Sequence, residues 1–154
     1  MAFIQKVKIR TWVLLLLLAG CSPAYPQADS LFDVLGSTAS DSIRIQCYKE
    51  LSLHYLNARK FDSTIYYADK GITLSKETGI RPDIGLYRLL VNANDGLMRY
   101  KESRSYFPGI IQILEQSKDP EDKARLALYK GWYLYRQGEF TASIEAFEKA
   151  KILA

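Results

Sequence analysis

The sequence has few of the residues that carry enzyme or metal chemistry. It contains one histidine, His54, among 154 residues. No second histidine or cysteine stands at metal-ligand spacing from it, and no Gly-x-Gly-x-x-Gly phosphate-binding loop occurs. A catalytic histidine also needs a nucleophile and an orienting acid beside it, and the sequence shows no such constellation. We therefore expect a structural role for His54, and no enzyme, metal site or cofactor.

Cysteine is too scarce for a disulfide framework. The chain has two cysteines, and Cys21 belongs to an N-terminal motif, which leaves Cys47 alone. One cysteine cannot form an intramolecular disulfide, so the fold must be stable without one. Cys47 lies in a helical pattern beside Tyr48. It is predicted to be a small buried thiol.

Surplus positive charge is scarce outside the N-terminus, although the formal net charge is +4. Lys6, Lys8 and Arg10 lie in the first ten residues, and no acidic residue precedes Asp29. Without those three, 18 basic residues face 17 acidic ones, a net charge of +1. Proteins that bind nucleic acid typically carry a clear excess of basic residues on their folded part, and this chain does not, so we expect no nucleic-acid partner.

The apolar run near the N-terminus is too short to span a bilayer, which takes about 20 residues. The run, Trp12 to Ala19, follows a basic start, as in an export signal. It ends in Leu-Ala-Gly-Cys at residues 18–21, which resembles the bacterial lipobox. That resemblance implies that Cys21 is lipidated and becomes the first mature residue, held at a membrane of the bacterial envelope. Ordinary cleavage after Ala24 and a retained anchor are the alternatives.

Beyond this leader one pattern occurs three times. An aromatic residue recurs after 39 and then 40 residues, followed by a small hydroxyl residue at the third position and an apolar one at the seventh. The three sets are Phe61, Thr64, Ala68; Tyr100, Ser103, Phe107; and Phe140, Ser143, Phe147. Self-similarity at a period of 20 to 50 residues is typical of stacked units, which bind other molecules.

Each unit divides into two helical segments. In the first unit, apolar and small residues from Tyr48 to Tyr55 follow the i, i+3, i+4, i+7 spacing of one helix face. Asp62 or Ser63 is predicted to cap the second helix, and Gly79 to end it. In the third unit Gly138 is predicted to end the first helix.

Four further signals predict element boundaries. Pro108 cannot donate a backbone hydrogen bond, so it predicts a break in the second helix of the middle unit. Asp119, ahead of a proline and two acids, predicts a capped helix start. Residues 29–36 read as one short capped helix, and Ser40 or Asp41 is predicted to cap the first helix of the array.

The array resembles tetratricopeptide repeats, in which two antiparallel helices pack closely at small residues. The third unit carries the family's signature positions at Gly131, Leu134, Gly138, Phe140, Ser143, Phe147 and Ala150. The resemblance implies an all-α fold, a right-handed superhelical array of about three antiparallel helix pairs. The predicted organisation is a signal peptide at 1–20, a tether at 21–28, a short helix and loop at 29–40, and repeats at about 41–79, 80–118 and 119–154.

In this family the first helix of each pair lines a concave groove. The groove positions carried onto this chain are Gln46 and nine further residues, and partner binding is assigned to those nine. They are Lys49 and Asn57 in the first unit, Arg88, Asn92 and Asp95 in the second, and Arg125, Trp132, Tyr135 and Arg136 in the third. The resemblance thus implies a mildly basic groove with an aromatic end, suited to an extended peptide with acidic groups. A solvated charged face without a ligand is the alternative.

Together these features predict a non-enzymatic protein-interaction module, or scaffold, on the bacterial cell envelope. The chain is also similar to exported repeat regions at the front of bacterial sensor kinases and regulators. The alternative is therefore the sensory region of a signalling protein that lacks its output domain. The last helix has no successor, so its apolar residues Ile144, Phe147 and Leu153 predict that a partner or a second copy covers that edge, with self-association or poor solubility of the mature protein as the result.

Overall fold

The structure, a computed structural model, describes residues 26–37 and 39–154. These residues form helices joined by short turns, and they contain no strand. The helices are α1 (Pro26–Gly36), α2 (Asp41–Asn57), α3 (Phe61–Thr78), α4 (Ile84–Gly96), α5 (Tyr100–Ser105), α6 (Phe107–Glu115), α7 (Glu121–Gln137) and α8 (Phe140–Leu153). The predicted export signal and Cys21 lie outside the described residues. The predicted all-α class is confirmed.

Helix α1 begins earlier than predicted. It starts at Pro26, inside the segment assigned as a tether, whereas the sequence pattern placed its start at Asp29. Proline at the first position of a helix loses no intrahelical hydrogen bond, because the first N–H groups have no partner there. Asp29 then lies in the first turn, where a negative charge is favoured by the helix dipole.

The N-terminal caps agree with the sequence signals only in part. The carboxylate of Asp119 accepts a hydrogen bond from the Glu121 N–H at 3.0 Å, but α7 begins at Glu121 with Pro120 at its cap position, so the predicted cap is confirmed only in part. Ser40 occupies the cap position of α2 with an extended backbone, but its side chain makes no capping bond. The predicted cap of α3 at Asp62 or Ser63 is wrong, because the helical hydrogen bonds begin earlier, with the Lys60 carbonyl accepting from the Thr64 N–H. The helix therefore begins at Phe61, ahead of Asp62 and Ser63.

The turn between the two helices of a pair has the same backbone conformation in all three units. Arg59, Met98 and Gly138 occupy it with φ of 56°, 58° and 85°. Just after it, an N–H donates to a carbonyl five residues back in each unit, as at a Schellman-type helix end. The donors and acceptors are Lys60 to Tyr55, Arg99 to Asn94, and Glu139 to Leu134. The repeat seen in the sequence is thus a repeat of backbone geometry.

The core is shared between consecutive helices. Ile45, Ala68 and Ile72 of the first pair meet Leu86, Leu89 and Leu90 of α4 in one buried cluster. A second cluster combines Val91 of α4 with Phe107, Ile110 and Leu114 of α6, and Leu126, Tyr129 and Tyr133 of α7 pack against it. The first helix of a following unit therefore completes the core of the unit before it, as in an α-solenoid.

The middle unit is interrupted as predicted. Its second segment divides into α5 and α6 at Tyr106, two residues before Pro108. Pro108 has no N–H to offer the carbonyl four residues earlier, and its ring crowds that carbonyl, so the helix restarts with the proline in its first turn.

At no point in residues 26–37 or 39–154 is a helix both long and apolar enough to cross a membrane.

Candidate partner-binding groove

The first helices of the pairs share a set of adjoining depressions. The largest, about 700 Å³, lies between α2, the N-terminal end of α4, and α7. Two others, of about 240 and 430 Å³, continue along α4 and α7 toward α5. Trp132 lines all three, so they form one surface, which we call the groove.

Eight of the nine residues predicted for partner binding line the groove. Lys49, Arg88, Arg125 and Trp132 line the largest depression. The remaining four, which line the two smaller ones, are Asn92, Asp95, Tyr135 and Arg136. Asn57 is exposed at the last residue of α2 and is not among the lining residues. Eight predicted residues thus lie on one surface, and the binding of a partner there stays a prediction.

Lys49 is tied to the next unit instead of facing a ligand freely. Its ammonium Nζ lies 2.6 Å from Oδ2 of Asp83, and the other carboxylate oxygen of Asp83 caps α4 at the Gly85 N–H. Burial alone would raise the pKa of Asp83, but the hydrogen bonds from Lys49 and Gly85 outweigh it and hold the pKa below its usual range. The pair joins α2 to the start of α4, and its one local signal is the position of Asp83 before a helix.

Arg136 and Asp95 form a second tie between units. The guanidinium and the carboxylate meet through two parallel contacts, Nη1 to Oδ1 at 2.8 Å and Nη2 to Oδ2 at 2.5 Å. Nη1 also lies 3.1 Å from the hydroxyl of Ser103. Burial would raise the pKa of Asp95, yet the hydrogen bonds from Arg136 and Ser103 lower it. Such a two-pronged pair fixes orientation as well as distance, and here it locks α4 to α7.

Arg125 and Arg88 differ in whether their guanidinium groups are already paired with carboxylates of the protein. Arg125 bonds within its own helix, to Asp122 at 3.0 Å and to Glu121 at 3.5 Å. Arg88 is exposed and lines both the largest and the smallest depression. In the part of the chain that the structure describes, Arg88 makes no hydrogen bond and no ion pair. Of the predicted basic residues, Arg88 therefore keeps its full hydrogen-bonding capacity.

The aromatic side chains at one end of the groove, Trp132 and Tyr135, are held in place by contacts with other aromatic rings. Trp132 is 44% exposed and meets the ring of Phe147 edge-on, with centroids 5.3 Å apart. Tyr135 contacts Trp132 at 6.1 Å and Phe140 at 5.7 Å, also edge-on. Phe140 and Phe147 belong to α8, so the second helix of the third pair holds the groove aromatics in place. A preorganised aromatic surface of this kind loses little entropy when it binds.

Several groove residues were missed by the family pattern. Leu128 and Tyr129 lie on α7 beside the predicted positions, and the family positions do not include them. Lys101 and Arg104 line the depression at the α5 end, and Arg104 Nη1 donates to the Arg136 carbonyl at 3.2 Å. The resemblance assigned the groove to the first helix of each pair, so it offered no reason to include α5.

The other residues singled out by the sequence lie away from the groove linings. Cys47 is buried, and desolvation followed by the nearby Glu50 carboxylate raises the pKa of its thiol. His54 is half-buried with its ring edge-on to Tyr55. No group of three His, Cys, Asp or Glu side chains in the described residues is arranged to hold a metal ion.

No protein-family model matches this chain, and the curated proteins contain no significant match to it. The class of protein therefore rests on the geometry. It is an all-helical protein in which consecutive helices pack upon one another as in an α-solenoid.

Proposed function

We propose that this protein is an exported, tetratricopeptide-like interaction module of the bacterial envelope, with a right-handed superhelical array and a lipid on Cys21. In this proposal it binds an acidic segment of a partner protein along the groove. The observation that carries the proposal is the placement of Arg88, an exposed arginine without an ion pair among the described residues, in the same depression as Trp132.

The charge of the groove favours an acidic ligand. Lys49 with Asp83, and Arg136 with Asp95, are neutral as pairs. Arg88, Lys101 and Arg104 then remain as positive lining residues. Arginine binds carboxylates through two parallel hydrogen bonds, and a partly exposed tryptophan is a common anchor at interfaces.

The shape of the groove favours an extended segment. Its depressions follow one another from α2 across α4 to α7 and on to α5, so a ligand that fills them must cross several helices. An extended chain spans about 3.3 Å per residue and can place successive side chains in successive depressions. We therefore propose that a partner carboxylate binds Arg88 while a neighbouring apolar side chain lies on Trp132.

Trp132 is the only tryptophan beyond residue 12, so its fluorescence reports on the groove. We expect acidic peptides that contain an aromatic residue to change this fluorescence on titration into the full-length Cys21→Ala protein that also carries Trp12→Phe, in which Trp132 is the one tryptophan left. Arg88→Glu should weaken their binding about tenfold or more, because it replaces a cation with a repelling anion.

The matched control is Lys118→Glu, which makes the same change of charge at an exposed position outside the groove linings. It should leave the affinity unchanged. Wild-type affinity in Arg88→Glu, or an equal loss in Lys118→Glu, would contradict binding at Arg88.

A further inference from the structure

A second cavity lies between the two helices of the third pair, with a lining separate from that of the groove. It has a volume of about 270 Å³, and its wall is almost entirely carbon. Its lining residues are Lys123, Leu126, Ala127, Lys130, Ala146, Lys149 and Leu153. None of them lines the groove.

The repeat explains why this cavity exists. Its two alanines, Ala127 and Ala146, come 40 residues after Tyr87 and Tyr106 of the second unit. Those two tyrosines come 39 residues after Tyr48 and Tyr67 of the first unit. A pair of tyrosines at two corresponding positions is thus replaced by a pair of alanines in the third unit alone.

In the first two units these tyrosines fill the space beside their helix pair. Tyr87 and Tyr106 are half-buried and pack against both core clusters. Tyr87 lies so close to α6 that a Cβ added at Gly109 would stand 2.8 Å from its ring. In the first unit Tyr67 stacks on Tyr55, with ring centroids 5.2 Å apart.

The two helices of the third pair cannot move together to fill the space that the two tyrosine rings would occupy. Its helices are already in contact along another line, where the Ser143 hydroxyl donates to the Gly131 carbonyl at 3.0 Å. At the same place Phe147 lies within 2.6 Å of where a Cβ on Gly131 would be. Because packed interiors resist collapse of this kind, the volume of the two rings remains open as a cavity.

Three lysines surround this apolar cavity. Lysine side chains place their carbon stems along apolar surface and keep their ammonium groups in water, so these three bring positive charge to its mouth. The ammonium of Lys130 is neutralised by Glu115 at 2.7 Å. Lys123 and Lys149 form no hydrogen bond or ion pair with any other described residue.

We propose that this cavity binds a small apolar monocarboxylate, such as a medium-chain acyl or arylalkyl carboxylate. The hydrocarbon part occupies the space that tyrosine rings fill in the other two units. The carboxylate lies at the mouth, near Lys123 and Lys149. Sites of this kind owe their affinity to the buried apolar surface and their specificity to a few polar groups at fixed positions.

Decanoate and the uncharged decanol serve as probes, in calorimetric titrations of the full-length Cys21→Ala protein. We expect decanoate to bind and decanol to bind more weakly. Ala146→Tyr should lower the decanoate affinity about tenfold or more, because the ring occupies the volume that the hydrocarbon needs. The first two units fold with tyrosine at this position, so the substitution is compatible with the helix pair.

A second variant tests the charge without touching the core. Lys123→Gln combined with Lys149→Gln should weaken decanoate binding about fivefold and leave decanol binding unchanged. Arg88→Glu should affect neither probe, which separates this site from the groove. The proposal is overturned if decanoate does not bind, if Ala146→Tyr binds it with wild-type affinity, or if decanol binds as tightly as decanoate.

Discussion

For single residues, the turn within each helix pair strains the backbone in two of the three units. All three units place one residue in the left-handed region, and only the third uses glycine there. A side chain in this conformation brings its Cβ too close to the next carbonyl, whereas glycine has no Cβ. Arg59 and Met98 are both exposed, so packing does not compensate for the strain.

Met98→Gly and Arg59→Gly should therefore each raise the free energy of unfolding by about 0.5–1 kcal/mol. This value is the strain energy that glycine relieves, minus the cost of the greater conformational entropy that glycine gives the unfolded chain. Urea denaturation followed by circular dichroism measures the change. Gly138→Ala is the reverse experiment and should lower the same free energy by about 1 kcal/mol. Unchanged stability in all three variants would show that the turn is not strained.

At the scale of elements, each helix pair is closed by small residues at the line where its helices cross. The Ser52 hydroxyl donates to the Thr64 carbonyl in the first pair, and Ser143 donates to Gly131 in the third. In the second pair the Ser103 hydroxyl hydrogen-bonds to Asp95 of its own pair and also contacts Arg136 of the next unit. The middle pair, already divided into α5 and α6, thus uses this hydroxyl for one contact within the pair and one between units.

Gly131→Ala tests this close approach. Its Cβ would stand 2.6 Å from the ring of Phe147, and that ring has Trp132 on another side, so it cannot simply move away. We expect a loss of about 1–3 kcal/mol in the free energy of unfolding, as in other overpacked sites. Thermal denaturation should show the lower midpoint.

Gly36→Ala provides the comparison, because nothing lies within 4 Å of a Cβ added there. It should leave the midpoint almost unchanged. Equal effects of the two substitutions would indicate that helix propensity, and not the contact with Phe147, controls the result.

At the scale of the whole molecule, the units are held in register by polar ties as well as by the shared core. Lys49 with Asp83 joins the first unit to the second, and Asp95 with Arg136 joins the second to the third. Both ties lie in the groove, so the contacts that set the relation between units also shape the surface proposed to bind a partner.

Asp95→Asn should lower the free energy of unfolding by about 1–2 kcal/mol near neutral pH, because it removes a charged two-pronged pair that is only partly exposed. The pKa of Asp95 is lowered in the folded state, so its contribution is present above the unfolded-state value of about 3.9. That contribution is lost as the pH falls through the folded-state pKa. The difference between wild type and variant should therefore shrink in acid.

Asp62→Asn is the matched control, since Asp62 also pairs across units, with Arg99, but at 3.5 Å and with both side chains well exposed. Exposed pairs contribute little, so its effect should be near zero at every pH. Urea titrations between neutral and acidic pH measure both variants. A pH-independent loss in Asp95→Asn would contradict the role of the carboxylate charge.

Local signals along the chain were enough to predict the helices, their pairing and several of their ends. These depend on interactions over a few residues: the Asp119 cap, the left-handed Gly138 and the missing N–H of Pro108 each act within one or two turns. Where the local signal was ambiguous, as at Asp62 and Ser63, the turn before the helix decided its start. Eight of the nine groove residues assigned from the family resemblance lie on one surface, and the binding of a partner there stays a prediction.

Which charged side chains of the groove remain available to a ligand depends instead on how the units pack. Lys49 lies 34 residues from Asp83, and Asp95 lies 41 from Arg136, so their pairing follows from how the units pack and has no local signature. The cavity beside Ala127 and Ala146 has the same origin. The two alanines are visible in the repeat, but they leave a shared space only because two helices bring them together.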